Sequence, residues 1–390
     1  MRHIALAAPL WGAGCAPPVA PQRATPLAPP GGRVNGNPDA ARLVTSDLPN
    51  FWRAVDAAAG RDSAGRVRAF EEMYLRPGSP GLRAWVRVRL TDRGGTVIPA
   101  LERRGWDVAR RTRVLALPDT AAERRAYEAE RNALDQHSAA EQLAAFTARA
   151  PRYFAEVRAR TLALDTSAAI TGAIRARFRR LEALYPAAVF PDVYFLFGRG
   201  NSGGTPAGGA GLLIGMELNA RGDATPLDEL PPGLRPVVGR PADLPALVAH
   251  EAVHAQQPDL GKAPTLLARA LNEGAADFVA DLTAAAGAAP AARAYAAYGA
   301  AHERELWDEF RAVMGGTDAR GWLYGGAPAG RPQDLGYYVG ARICEAYYRR
   351  AADKRAALRA ILASAAAPEA FLRASGYAGG GAGAKDAPIR

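Results

Sequence analysis

The chain has 390 residues, 49% of them hydrophobic and 23% charged, which is enough to bury a sizeable core in one large domain or two smaller ones. Its formal charge of +10 raises the question of nucleic acid, yet all but three of the 49 basic residues (Lys262, Lys354 and Lys385) are arginines scattered through alanine-rich sequence. No basic stripe interleaved with aromatics is present, so the reading excludes nucleic acid as a partner.

In chain order, Met1-Arg2-His3 gives a short charged start, Ile4 to Trp11 an apolar stretch, and Gly12-Ala13-Gly14 small residues ahead of Cys15. That order resembles a bacterial lipoprotein signal, cut before a cysteine that then receives lipid. Residues 1–15 are read as this signal, with lipid on Cys15 and the protein exported and anchored at a membrane, on the periplasmic side or the cell surface. The Pro-rich residues 16–46 follow as a disordered tether. No later apolar run is long enough to span a bilayer. With Cys15 lipidated, Cys344 has no partner, so disulfides do not stabilise the chain.

Residues 47–185 read as an N-terminal helical region. Asp47-Leu48-Pro49-Asn50-Phe51-Trp52 opens a helix, and helical stretches cover 67–74, 121–135, 143–148 and 153–163. Ile170, Ile174, Phe178, Leu181 and Leu184 then repeat at helical spacing. A buried strand is expected at 193–197, a glycine-rich loop at 198–205 and a second strand at 211–216. The loop lacks the Gly-Lys-Ser/Thr ending of a phosphate cradle. Later segments read as a helix over 291–310, a Gly-rich turn region over 315–331, a helix over 337–351 and a mobile tail over 377–390.

Between the second strand and these later segments stand His250-Glu251-Ala252-Val253-His254 and Asn272-Glu273-Gly274-Ala275-Ala276-Asp277. Histidines four residues apart on a helix share a face, so both imidazoles can reach one ion. Leu244, Leu247, Val248 and Val253 make that helix largely buried, where an unliganded histidine pair would be costly. This argues against a surface pair beside a salt-bridging glutamate. Asp243 is expected to cap the helix, Pro245 to sit in its first turn and Pro258 to stop it.

Zinc in a hydrolytic site takes three protein ligands and keeps a fourth position for water. Glu273, on a second helix over 265–281, is the best candidate for the third ligand. Glu251 is placed to take a proton from bound water, as general base. Asp277, one turn past Glu273, can accept the free N–H of a zinc-bound histidine. A purely structural zinc would more often be closed by cysteines. Tyr337 or Tyr338 can offer a phenol to the oxyanion formed as water adds to a carbonyl, with His302 as a further donor; plain aromatic packing is the alternative for both tyrosines.

These two motifs resemble those of the thermolysin-like (gluzincin) metallopeptidases, whose third zinc ligand is a glutamate. The resemblance implies His250, His254 and Glu273 as ligands of Zn2+, Glu251 as base and Asp277 as the partner of His250. It also implies a sheet edge beside the metal that pairs with an extended peptide, and Asn201, Gly203, Gly204 and Gly211 are the positions expected to bind substrate there. A broader resemblance is to exported bacterial proteins described as predicted zinc-dependent proteases, some related to gliding-motility lipoproteins. It rests on Asp47-Leu48-Pro49-Asn50-Phe51-Trp52, Tyr194-Phe195-Leu196, Asn201-Ser202-Gly203-Gly204-Thr205, the zinc motif and Asp334-Leu335-Gly336-Tyr337-Tyr338-Val339-Gly340.

The expected fold class is α+β, mainly helical, with a zincin-like catalytic region over 186–376 and a small mixed sheet next to the metal helix. The expected function is zinc-dependent hydrolysis of a peptide or protein substrate. Two other readings stand beside it: a lipid-anchored binding or assembly protein with a non-catalytic zinc site, and a zinc amidase acting on a non-peptide amide.

Overall fold

The helix Asp47–Ala58 buries Leu48, Phe51, Trp52 and Ala54, and its aromatics fix where the N-terminal helices pack. Phe51 stacks on Phe197 at 3.8 Å between ring centroids, and Trp52 meets the same ring edge-on at 5.2 Å. Phe197 directly follows a buried strand, so helices and sheet share one core. Asp47, fully buried, accepts hydrogen bonds from the N–H and hydroxyl of Ser79, which ties this helix to the start of the helix Pro80–Trp85. The computed structural model describes residues 34–90, 95–164, 167–285, 291 and 293–380.

The molecule is mainly helical with a small mixed sheet. Its strands are β1 (Val34–Asn35), β2 (Leu43–Val44), β3 (Phe190–Pro191), β4 (Val193–Leu196), β5 (Gly204–Pro206) and β6 (Leu212–Gly215). Four of them form a sheet in the order β2-β4-β6-β5; the first two pairings are parallel and β5 runs antiparallel along β6. All residues of β4 and β6 are buried, because the helices Asp47–Ala58 and Pro80–Trp85 pack on the sheet from the N-terminal region and Leu244–His254 packs against β5 and β6. This matches the unbroken apolar runs of strands covered on both faces.

Several sequence expectations need correction. The stretch 198–205 was expected to be loop throughout, yet Gly204 and Thr205 begin the edge strand β5, paired with Ile214 and Leu213. Residues 34–46 fall in the expected tether but carry β1 and β2. Asp192, with no exposed surface, accepts the Arg42 N–H at 2.8 Å and its guanidinium, fastening this segment to the fold. Residues 121–149 form one helix, Ala121–Arg149, rather than two. The stretch expected as a helix over 291–310 contains two, Ala296–Ala301 and Glu303–Val313, with His302 between them. At the C-terminus, Tyr377 donates to Glu303 Oε1 at 2.9 Å and Gly379 lies against the Trp307 ring, so packing continues to residue 379. The lipoprotein signal with Cys15, the tether before residue 34 and the tail beyond 380 lie outside the described residues. No helix among the described residues is long and apolar enough to cross a membrane.

The helices Leu266–Leu282 and Leu335–Arg350 cross in backbone contact. It passes through Gly274 and Gly340: a Cβ on Gly340 would lie 1.8 Å from the Ala270 carbonyl oxygen, and one on Gly274 would lie 2.2 Å from the Ala341 nitrogen. Only the absence of side chains lets the two backbones touch. The contact presses Tyr337, one turn before Gly340, toward the residues of the metal motif.

Candidate metal centre

Leu244–His254 and Leu266–Leu282 carry the motif residues. The first starts at Leu244 with Pro245 in its opening turn, but Asp243 does not cap it: its carboxylate accepts the Arg240 N–H at 3.1 Å and belongs to the preceding turn. The helix ends at His254, four residues before Pro258. The second is capped by Thr265, whose hydroxyl accepts the Ala268 N–H at 3.2 Å.

Their facing sides bring three ligand atoms together. His254 Nε2 lies 3.0 Å from His250 Nε2, and Glu273 Oε2 lies 3.2 Å from the former and 3.5 Å from the latter. Zinc held at about 2.0–2.1 Å in a tetrahedral site puts its ligand atoms about 3.3 Å apart. Among the described residues this is the group of His, Cys, Asp and Glu that could hold a metal ion. The far side of each imidazole is held as a ligand's would be: His250 Nδ1 meets Asp277 Oδ1 at 2.9 Å, and His254 Nδ1 meets Gln257 Oε1 at 2.6 Å. Each contact favours the proton on Nδ1 and turns the Nε2 lone pair inward.

The electrostatics call for positive charge. Burial works against charge on His250, but the hydrogen bonds its ring donates to Asp277 and Glu273, with the charges of Asp277 and Glu251, overcome it and hold the imidazole up at about 10. Burial likewise opposes the charged forms of Glu273 and Asp277, yet His254 and His250 at Glu273, and His250, Arg293 and Tyr295 at Asp277, keep both carboxyls below their ordinary range. Two protons or one divalent cation can answer this need, so the donor set fits zinc.

Glu251 is 5% exposed. Burial pushes its carboxyl up, partly offset by His250, His254 and Arg89. Its Oε1 faces the edge strand, since a Cβ on Gly204 would lie 2.6 Å away. Arg89, from the N-terminal helices, donates to Thr205 Oγ1 at 2.8 Å on the same strand.

Of the four expected substrate positions, Gly204 alone lies against Glu251. Asn201 donates to the Arg89 carbonyl at 2.8 Å, and the Gly203 carbonyl accepts Gly215 N–H at 3.0 Å, so both anchor the loop. Gly211 lies elsewhere. It is buried in the β5–β6 turn with φ +124°, and a Cβ there would lie 2.4 Å from the Asp192 carbonyl oxygen.

The two tyrosines also part. Tyr337 stacks over His250 at 6.2 Å between ring centroids; burial, then Glu273 and Asp334, push its phenol well up, and no described residue hydrogen-bonds its hydroxyl. Tyr338, about 100° further round the helix, instead donates to Glu303 Oε2 at 3.2 Å, outside the centre. His302 is stacked on Tyr298 and is not at the centre either.

Four residues at the centre escaped the sequence reading. Gln257, three after His254, was within reach of a spacing argument; its amide also donates to the Asn272 carbonyl at 2.8 Å, clamping the two helices. Arg293 binds Asp277 Oδ1 at 3.0 Å, and the Tyr295 hydroxyl donates to Asp277 Oδ2. The Tyr324 hydroxyl donates to Glu273 Oε1 at 3.1 Å. The last three come from irregular segments with no motif of their own.

Neither a curated protein nor a solved structure matches this chain. Residues 239–367, a third of the chain that holds both motif helices and the crossing helix behind them, match the model of a family described as "Predicted Zn-dependent protease (DUF2268)".

Proposed function

We propose that the protein is a zinc-dependent peptide-bond hydrolase of the glutamate-ligand type, with a zincin-like arrangement of motif helices and edge strand. His250, His254 and Glu273 would hold the ion. The observation that carries the reading is the convergence of two Nε2 atoms and one carboxylate oxygen within 3.0–3.5 Å, with a buried glutamate from the same helix set under an edge strand.

Zinc, when bound, supplies an acidified water and polarises a carbonyl. Glu251 would accept a proton from a water in the site and pass it on to the leaving amine, and burial, which pushes its carboxyl up, favours that exchange. Asp277 and Gln257 hold the two imidazoles in orientation. Tyr337 offers an unspent O–H to the oxygen that gains charge. The edge strand β5 runs beside Glu251, and the Gly204 N–H on its outer edge is suited to pairing with an extended peptide. Lipid on Cys15 would keep this activity at a membrane surface outside the cytoplasm.

The test is a diverse peptide library incubated with zinc-loaded protein, chelated protein and Glu251→Gln. Cleavage is expected from the first alone. Equal cleavage by Glu251→Gln would remove the base, and cleavage only of non-peptide amides would move the substrate class.

A further inference from the structure

Two non-glycine residues among the described residues adopt a left-handed backbone: Tyr324 at φ +63° and Asp334 at φ +66°. They are linked. Asp334 Oδ1 accepts the Gly325 N–H at 3.1 Å, and the same carboxylate takes a hydrogen bond from the Tyr324 backbone. Strain of this kind persists where surrounding contacts enforce it, and it gathers at functional sites. Here it aims one side chain: the Tyr324 ring is 57% exposed, yet its hydroxyl reaches inward to Glu273 Oε1. Glu273 thus spends Oε2 on the histidine pair and Oε1 on this phenol, which leaves the O–H one carboxylate away from the atoms that would hold the ion. The neighbours Gly325 and Gly326, at φ +91° and +75°, give the segment hinges on one side.

We propose that Tyr324 is a catalytic residue of the hydrolysis. Its phenol rests on Glu273 Oε1 in the free protein and turns its O–H to the carbonyl oxygen under attack once substrate is bound. Asp334 is the positioning residue that holds the Tyr324 backbone in its left-handed turn. Tyr324 and Tyr337 then approach the reacting oxygen from two separate segments, one irregular and one helical. This inference rests on the hydrolase reading above.

Tyr324→Phe removes one oxygen from a largely exposed ring, so its helical circular dichroism and melting should match the parent. Two affinities are measured with zinc-loaded protein in a Glu251→Gln background: for a peptide phosphinate, whose tetrahedral oxyanion mimics the attacked carbonyl, and for the matching uncleaved peptide. Zinc affinity is measured separately by competition with a chromophoric chelator. The phosphinate should bind about a hundredfold more weakly to Tyr324→Phe, while peptide and zinc affinities stay within about threefold. A parallel loss of zinc affinity would reduce Tyr324 to a brace for Glu273, and unchanged phosphinate affinity would remove it from the reaction; either overturns the proposal. If the parent binds neither ligand, the hydrolase reading falls and takes this inference with it.

Discussion

Gly340→Ala strikes the crossing behind the metal centre. The new Cβ would fall 1.8 Å from the Ala270 carbonyl oxygen and 2.5 Å from its carbon, both backbone atoms of the helix that carries Glu273. Non-bonded heavy atoms rest at about 3.5 Å, so the helices must part by roughly 1.5 Å. Overpacking costs about 1–3 kcal/mol, and here the upper end applies because neither obstacle is a flexible side chain. Alanine's better helix propensity returns about 1 kcal/mol, leaving a net loss of about 2 kcal/mol of stability, read as a lower urea midpoint at unchanged slope. Gly172, inside the helix Ala168–Leu184, has open space at its Cβ, so Gly172→Ala isolates the propensity gain and should stabilise by about 1 kcal/mol. Zinc affinity should fall in Gly340→Ala alone, since parting the helices shifts Glu273 relative to the histidines. Equal stability of the two variants would refute the packing argument.

Asp277→Asn and Gln257→Ala should each weaken zinc binding about tenfold to a hundredfold by releasing one imidazole, measured by chelator competition. Gly204→Ala would set a methyl group 2.6 Å from Glu251 Oε1; hydrolysis should drop about tenfold or more with zinc content intact, the sign of a displaced base. Glu217, fully buried, accepts the Gly198 N–H at 2.8 Å and the Gly200 N–H at 3.1 Å under the loop that leads to β5, and burial pushes its carboxyl from 4.5 up to about 7. A raised carboxyl favours folding below its unfolded value, and that contribution is lost as pH climbs through the folded one. The contribution of Glu217 to stability should therefore fall by about 3 kcal/mol between pH 4.5 and 7, and Glu217→Gln should remove that part of the parent's decline in denaturant titrations.

The metal motif was legible because its spacing matches the helical repeat and its flanks are apolar: two histidines four apart, and a carboxylate one turn beyond Glu273, need no tertiary information to be paired. The helix bearing Gly274 and Gly340's partner face was likewise readable as a helix, but not the contact itself, which depends on two glycines meeting from segments far apart in sequence. Strand β5 was missed because Gly204-Thr205-Pro206 is three residues long, carries no alternation and takes its conformation from pairing with β6. β1 and β2, of two residues each, were hidden within a Pro-rich stretch for the same reason. Tyr337 and Tyr338 were equivalent by composition and are separated only by rotation about the helix axis. Tyr324 was invisible because its aim is set by a left-handed backbone held by Asp334, and propensity disfavours that geometry for both residues.

The central claim is that His250, His254 and Glu273 hold one zinc ion, and X-ray absorption at the zinc edge of the metal-loaded protein tests it most directly. The account predicts one zinc per chain, with two imidazoles and light oxygen donors at about 2.0–2.1 Å, and a lost imidazole signature in His254→Ala. A sulfur shell at about 2.3 Å, or a spectrum that His254→Ala and Glu273→Ala leave unchanged, would contradict it.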